Sequence, residues 1–268
     1  MTKPQRYPRD PVALLPLLEA LLPTSIALVG SMRSSPTLEL FATFPADPPA
    51  EWMVVAVLPG PVGQMRIFHC FEAGPITNEE KERGRAMVNA VVGEMLRDRP
   101  GYKLGAVHEL WSESLRLNVV GGRYHTMCTT FLAPTNAQVD ASQAVTCGLI
   151  LDEGRPGDEV LIQAKSGYRT REWYATQLGH TSVLRPTTDS LPVAWVVTVA
   201  DGAIGALYTL PEFRRRGLAK VVLAHRLGKM TGLPGFCHVE VTNGASEALW
   251  EGMGWTRGHR VNWIYADD

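Results

Sequence analysis

No stretch of the 268 residues approaches the run of about 20 apolar side chains that a bilayer-spanning helix requires, so no membrane segment is expected. Neither sign of charge is in excess. Against 26 lysines and arginines stand 27 aspartates and glutamates, which speaks against the basic footprint of a nucleic-acid-binding protein. Cysteine is sparse: Cys70, Cys128, Cys147 and Cys237 are scattered, form no C-x-x-C pair and have no histidine at metal-ligand spacing. Each lies among apolar residues, so buried reduced thiols and no structural metal are expected. Low-complexity tracts and short internal repeats are lacking as well. The first nine residues carry Lys3, Arg6 and Arg9 ahead of Asp10, a faint likeness to a mitochondrial presequence, but they hold two prolines and no serine. Cytoplasm is the expected compartment, with the mitochondrial matrix as the alternative.

What is present is the composition of a soluble globular protein, 45% apolar and 20% charged, at a length that suits two domains. Val12, Leu14, Leu15, Leu18, Leu21 and Leu22 give one apolar helix face, with Pro16 near its first turns. Apolar runs over 26–30, 38–44, 52–58 and 65–71, separated by turns rich in proline and glycine, predict a four-stranded meander. Thr77-Asn78-Glu79-Glu80 has capping-box spacing and opens a long helix to about Asp98, which Arg99-Pro100-Gly101 stops. Further strands are predicted over 103–108, 114–120 and 124–132, the last two joined at Gly121-Gly122. His108 and His125, which fall within these runs, are read as satisfied structural residues. The polar, aperiodic segment 136–143 is the expected linker between an N-terminal α/β domain at 1–135 and a second domain at 144–268.

Beyond the linker the pattern predicts a strand at 144–151, helical stretches at 158–164 and 169–178, and antiparallel strands at 183–185, 193–199 and 203–210. Asp201-Gly202 supplies the turn of the last hairpin. A helix at 217–230, a strand at 236–242, a helix at 245–253 and a closing strand at 261–265 complete the chain. The class is α/β (α+β), with a mixed, mostly antiparallel sheet flanked by helices.

One stretch in this half concentrates the chemistry. After the apolar strand, Pro211 has no N–H to give the ladder, and the helix that follows carries apolar Leu218, Val221, Val222 and Leu227 at helical spacing. Between them, Gly217 and Ala219 leave the backbone without bulk, the first N–H groups of the helix have no partners of their own, and Arg214, Arg215 and Arg216 add positive charge. This describes an anion site. Arg214, Gly217 and Ala219 also match the R/Q-x-x-G-x-G/A spacing of the pyrophosphate loop in the GCN5-related N-acetyltransferase (GNAT) superfamily. Asn243 through Trp255 resembles that superfamily's later N-x-x-A-x-x-x-Y-x-x-x-G-F segment. Pro192-Val193-Ala194-Trp195, the segment Tyr208-Thr209-Leu210-Pro211-Glu212-Phe213-Arg214, and the N-terminal stretches from Leu22 to Gly30 and Ser35 to Leu40 are similar to the glycine N-acyltransferase family.

The resemblance implies an acyl-coenzyme A co-substrate such as acetyl-CoA, a small amine acceptor such as glycine or another amino acid, and a GNAT order of elements in the C-terminal half. By analogy the N-terminal half is a degenerate copy of the same fold. Backbone groups from Arg215 to Lys220 would hold the pyrophosphate, and the strand edge at Leu207, Thr209 and Leu210 the pantetheine arm. Asn243 and Trp250 join the cofactor-binding set through the second motif. Glu212 is the candidate base for the acceptor amine, although the arginines beside it weaken a carboxylate as a base. A first-turn glutamate complementing the helix dipole is its structural alternative. His238 and Glu240 share one face of the next strand and form the reserve. Where many members of the superfamily place a tyrosine to protonate the thiolate, this chain has Trp250, whose indole N–H is no acid at neutral pH. Tyr208 or a water could substitute. Two alternatives stay open: transfer to a protein or peptide amine, and an acyl-CoA-binding sensor or scaffold without turnover.

Overall fold

The computed structural model describes residues 5–6, 11–22, 24–35, 37–43, 52–58, 64–70, 77–99, 101–120, 123–134, 148–199, 201–230 and 234–265. The chain forms two compact units, the first from 1–130, 239–247 and 257–268, the second from 131–238 and 248–256.

In the first unit the strands β1 (Gln5–Arg6), β2 (Glu39–Ala42), β3 (Trp52–Leu58) and β4 (Gln64–Cys70) pair antiparallel in sequence order. Six of the seven residues of β3 are buried, because apolar side chains on both of its faces are covered. A helix, here α3 (Asn78–Arg97), then leads to β5 (Lys103–His108), which runs parallel to β4. Thr77 starts α3 as the spacing predicts: its hydroxyl accepts from Glu80 N–H (3.2 Å), and the Glu80 carboxylate accepts from Thr77 N–H (2.6 Å). Val88, Val91, Val92 and Met95 of α3 pack on the sheet through Met53, Val55 and Leu104.

Two runs predicted as strands are helical. Residues 26–30 belong to α2 (Ile26–Ser34), which follows the short α1 (Leu15–Glu19). Five apolar residues are too few for periodicity to separate strand from helix. The following Ser31 and Ser34 bond back to the carbonyls of Ala27 and Gly30, which continues the helix past the apolar run. Residues 114–120 fall in α4 (Glu109–Leu115) and a π-helical turn at Arg116–Val120. Their alternating pattern is incidental to a face made by Trp111 and Leu115, one helical turn apart and both buried. The predicted hairpin turn at Gly121-Gly122 lies outside the described residues. The predicted strand after it is β6 (Arg123–Leu132).

In the second unit the order is β7 (Ile150–Glu153), α5 (Asp158–Ser166), α6 (Arg171–Thr176), β8 (Thr181–Arg185), β9 (Ala194–Thr198), β10 (Ile204–Thr209), α7 (Leu218–Lys229) and β11 (Phe236–Glu240). Strands β7 to β10 are antiparallel neighbours, and β11 runs parallel to β10. The expected mixed, mostly antiparallel sheet flanked by helices is therefore observed. Arg185, fully buried, ties β8 to the start of α5 through Asp158 (2.7 and 3.1 Å) and to the carbonyls of Glu153 (3.2 Å) and Ser190 (3.0 Å). Ile162, Tyr174, Val183, Trp195 and Val197 close the core beneath.

The last helix, α8 (Gly244–Gly252), precedes β12 (Thr256–Tyr265). This strand departs from the expected division of the chain: it pairs antiparallel with β5, at Val261↔His108 and Asn262↔Val107, within the first unit. A closing strand that buries Val261, Asn262 and Ile264 fits any apolar sheet edge, and the sequence does not say which. The linker expected at 136–143 lies outside the described residues. Cys128 and Cys237 are buried and form no disulfide, and the side chains of Cys70 and Cys147 are outside the description. Among the described residues no helix is long and apolar enough to cross a membrane, and no cluster of three potential metal ligands occurs.

Candidate active site

Strand β10 carries the first element of the site. It pairs with β9 at Ile204↔Thr198 and Gly205↔Val197, then resumes at Tyr208↔Trp195 and Thr209↔Ala194, so β10 uses one residue more than its partner. This is a β-bulge, and Ala206 takes it up with φ +49°, a left-handed conformation unusual for a residue with a Cβ. On the other side, the pairing with β11 recorded among the described residues is Ile204↔Cys237, at the start of both strands. From Ala206 onward the edge of β10 facing β11 has no ladder there. Thr209 Oγ1, on this part of the strand, is buried without a hydrogen-bond partner among the described residues. Tyr208 stacks on the fully buried Trp195, ring centroids 5.1 Å apart and 22° from parallel.

The chain leaves β10 through a tight 3-10 turn at Pro211–Phe213 and reaches α7 after the four residues Arg214 to Gly217. Arg214 folds back, its Nε donating to Thr209 O (3.1 Å) and its guanidinium lying 5.5 Å over the Tyr208 ring. Arg216 Nη2 donates to Glu212 O (3.0 Å), and its guanidinium lies over Phe213. Two of the three arginines thus brace the loop. Arg215 and Lys220 have no ion pair among the described residues.

Arg215 (φ +63°) and Gly217 (φ +78°) are both left-handed, which turns successive N–H groups toward one side. Gly217 is the N-cap of α7 and offers no side-chain acceptor; its carbonyl takes Lys220 N–H (3.0 Å), while the N–H groups of Leu218 and Ala219 have no acceptor among the described residues. Leu218, Val221 and Val222 are buried and fix the helix against the sheet. The result is an uncapped helix N-terminus with free cations beside it, the geometry that binds phosphate groups.

The remaining expected residues are spread. Glu212 is exposed in the 3-10 turn, its carbonyl held by Arg216. His238 follows Cys237, the residue opposite Ile204, and meets Phe236 edge-on at 5.5 Å. Trp250 is 3% exposed and packs on Trp255 at 4.4 Å, so it sits in the core of the second unit. Glu240 and Asn243 belong to the first unit. Asn243 opens α8, accepting Ser246 N–H on Oδ1 (3.1 Å). Glu240 stands near Cys128, whose thiol is pushed up to about 12 by burial and, secondarily, by that carboxylate. Missed in the sequence were the bulge at Ala206 and the Trp195 platform under Tyr208. The pair of small residues Gly205-Ala206 within an apolar strand was the one available signal for the bulge.

The family model for FR47-like proteins matches residues 184–264, from the end of β8 into β12. No curated protein matches the chain. Among solved structures, a Drosophila protein determined as a structural-genomics target superposes with a TM-score of 0.68 at 13% identity, over 96% of this chain and 95% of that one. A tandem GNAT protein from the clavulanic acid biosynthesis pathway gives 0.52 at 14% identity, covering 98% and 97%. A GCN5-related N-acetyltransferase from Kribbella flavida gives 0.52 at 14%, covering 95% of both. The fold is that of the GNAT acetyltransferases.

Proposed function

We propose that the protein is an acyl-CoA-dependent N-acyltransferase whose acceptor is a small amine, glycine or another amino acid being the class that the sequence resemblance favours. The observation that carries this reading is the bulged strand β10, with an open edge, running into an uncapped helix. A nucleotide pyrophosphate fits the N–H groups of Gly217, Leu218 and Ala219, with Arg215 and Lys220 as free counter-charges. The pantetheine amides fit the edge at Leu207, Thr209 and Leu210, where Thr209 Oγ1 awaits a partner. Holding the thioester and the amine together in this way supplies much of the acceleration.

The amine must arrive neutral. Glu212 is the proposed base, following the strand that would carry the donor. A second reading has support from the register: His238 lies one residue beyond the last recorded β10 to β11 pair, where the strands part, whereas Glu212 lies three residues past the end of β10. In the parallel register His238 falls beside Gly205, four residues before the end of β10, which at about 3.3 Å per residue is about 13 Å short of Thr209. Glu240 stays in reserve. For the departing thiolate, Tyr208 is the proposed proton source, since buried Trp250 has no acid to give.

The test is to incubate the protein with acetyl-, benzoyl- and longer acyl-CoAs against a panel of amino acids and follow free thiol. Thiol release that depends on an amino acid is the expected result. Binding without release supports the sensor reading, and release with peptides alone supports a protein acceptor; either result overturns the proposal.

A further inference from the structure

The first unit repeats part of the arrangement just described. Strands β2, β3 and β4 are antiparallel, α3 follows, and β5 returns parallel to β4. Here too the recorded parallel pairing is confined to the strand starts, at Gln64↔Lys103 and Met65↔Leu104. The helix end is different. Thr77 and Glu80 close a capping box through each other's N–H groups, and Glu79 and Glu80 add negative charge to the first turn of α3. A pyrophosphate placed there would meet the repulsion of these carboxylates.

Past the paired strand starts lies a cavity of about 340 Å³, the size of a small-ligand pocket. Arg66, Phe68, His108, Trp111 and His259 line it, with Ala27 from α2, and no aspartate or glutamate is among its described lining residues. Arg66 is only 6% exposed. Its side chain crosses Gly105 so closely that a Cβ there would overlap Nη1, which gives the glycine its reason. His108 and His259 stack at 4.9 Å, 14° from parallel. Leu110 N–H donates to His108 Nδ1 (3.2 Å), which leaves the His108 proton on Nε2 as a donor. Burial lowers the pKa of both rings, that of His108 to about 4, so both are neutral at pH 7, and among the described lining residues the charged side chain is Arg66. Glu109 acts on His259 from outside the lining.

We propose that this cavity binds a small carboxylate with an uncharged, apolar body. The guanidinium of Arg66 pairs with the carboxylate, neutral imidazole N–H supplies a further donor, and Phe68 and Trp111 enclose the body. A zwitterionic amino acid fits less well, because no lining carboxylate receives its ammonium group. The inference is independent of acyl transfer in the second unit.

Calorimetric titration of the full chain with benzoate, and with benzamide as its uncharged isostere, tests it. One benzoate should bind, at least about tenfold more tightly than benzamide, since a charge-assisted bond is lost in the amide. Arg66→Gln should weaken benzoate by a similar factor. Ala27→Phe, which fills the cavity without touching the charge, should abolish binding, and it decides the matter if Arg66→Gln fails to fold. Absence of benzoate heat up to roughly 10 mM, well above the range of a useful site, equal affinity for benzamide, or unchanged binding in folded Ala27→Phe would each overturn the proposal.

Discussion

Glu212 and His238 are the two side chains whose roles in deprotonation the geometry sets against each other. If Glu212 is the base, Glu212→Gln should keep CoA binding and lower turnover about 10²–10⁴-fold, with partial recovery as pH rises and more amine arrives neutral. A near-normal rate in that variant, with the loss appearing in His238→Gln, moves the assignment to β11. The sequence marked both residues as candidates but could not rank them, since rank depends on where β10 and β11 part. His108 illustrates the same limit: its run predicted a structural histidine, and it does cap α4 through Nδ1, yet it also lines a cavity. Its pKa lies near 4 in the folded state against 6.5 unperturbed, chiefly through burial. The unfolded chain therefore binds more protons between these values, so the contribution is complete above pH 6.5 and is lost as pH falls toward 4. At pH 5 the loss should be on the order of 2 kcal/mol. Urea unfolding at pH 7.5 and 5 checks this: His108→Asn keeps a capping acceptor without the titration and should show a smaller drop, whereas an equal drop would place the effect elsewhere.

Helices α3 and α7 both follow a strand and lead to a parallel one, but they begin in opposite ways. Thr77 caps α3 with its side chain and Glu79 and Glu80 add negative charge to its first turn, while Gly217 gives α7 no side-chain cap. Thr77→Ala should therefore cost about 1 kcal/mol of stability and leave CoA binding unchanged, as measured by denaturation with and without CoA; weakened binding would mean that α3 is part of the donor site. These helix starts were legible because capping spacing and glycine position are local signals. The predicted ranges for β3 and β5 coincide with the observed strands for a similar reason, since apolar runs bounded by turns declare themselves. Residues 26–30 and 114–120 were misread because a short run carries no reliable period, and their helical state depends on which face the rest of the unit covers.

Each unit carries a strand, a helix and a parallel strand in that order, and among the described residues the helix of the second begins at a glycine without a side-chain cap. The course of β12 was not legible, because strand patterning names a face and not a partner some 150 residues away. The proposed acyl-CoA site is the loop from Arg214 to Ala219 in the second unit. Calorimetric titration of coenzyme A into the wild-type protein and Gly217→Glu tests it most directly. The substitution places a negative charge where the pyrophosphate should lie and a side chain at φ +78°, which costs about 1–2 kcal/mol of stability and leaves a folded protein by circular dichroism. The prediction is saturable binding to the wild type and loss of at least about 100-fold in affinity in the variant. No binding to the wild type, or equal affinity in the folded variant, would contradict the account.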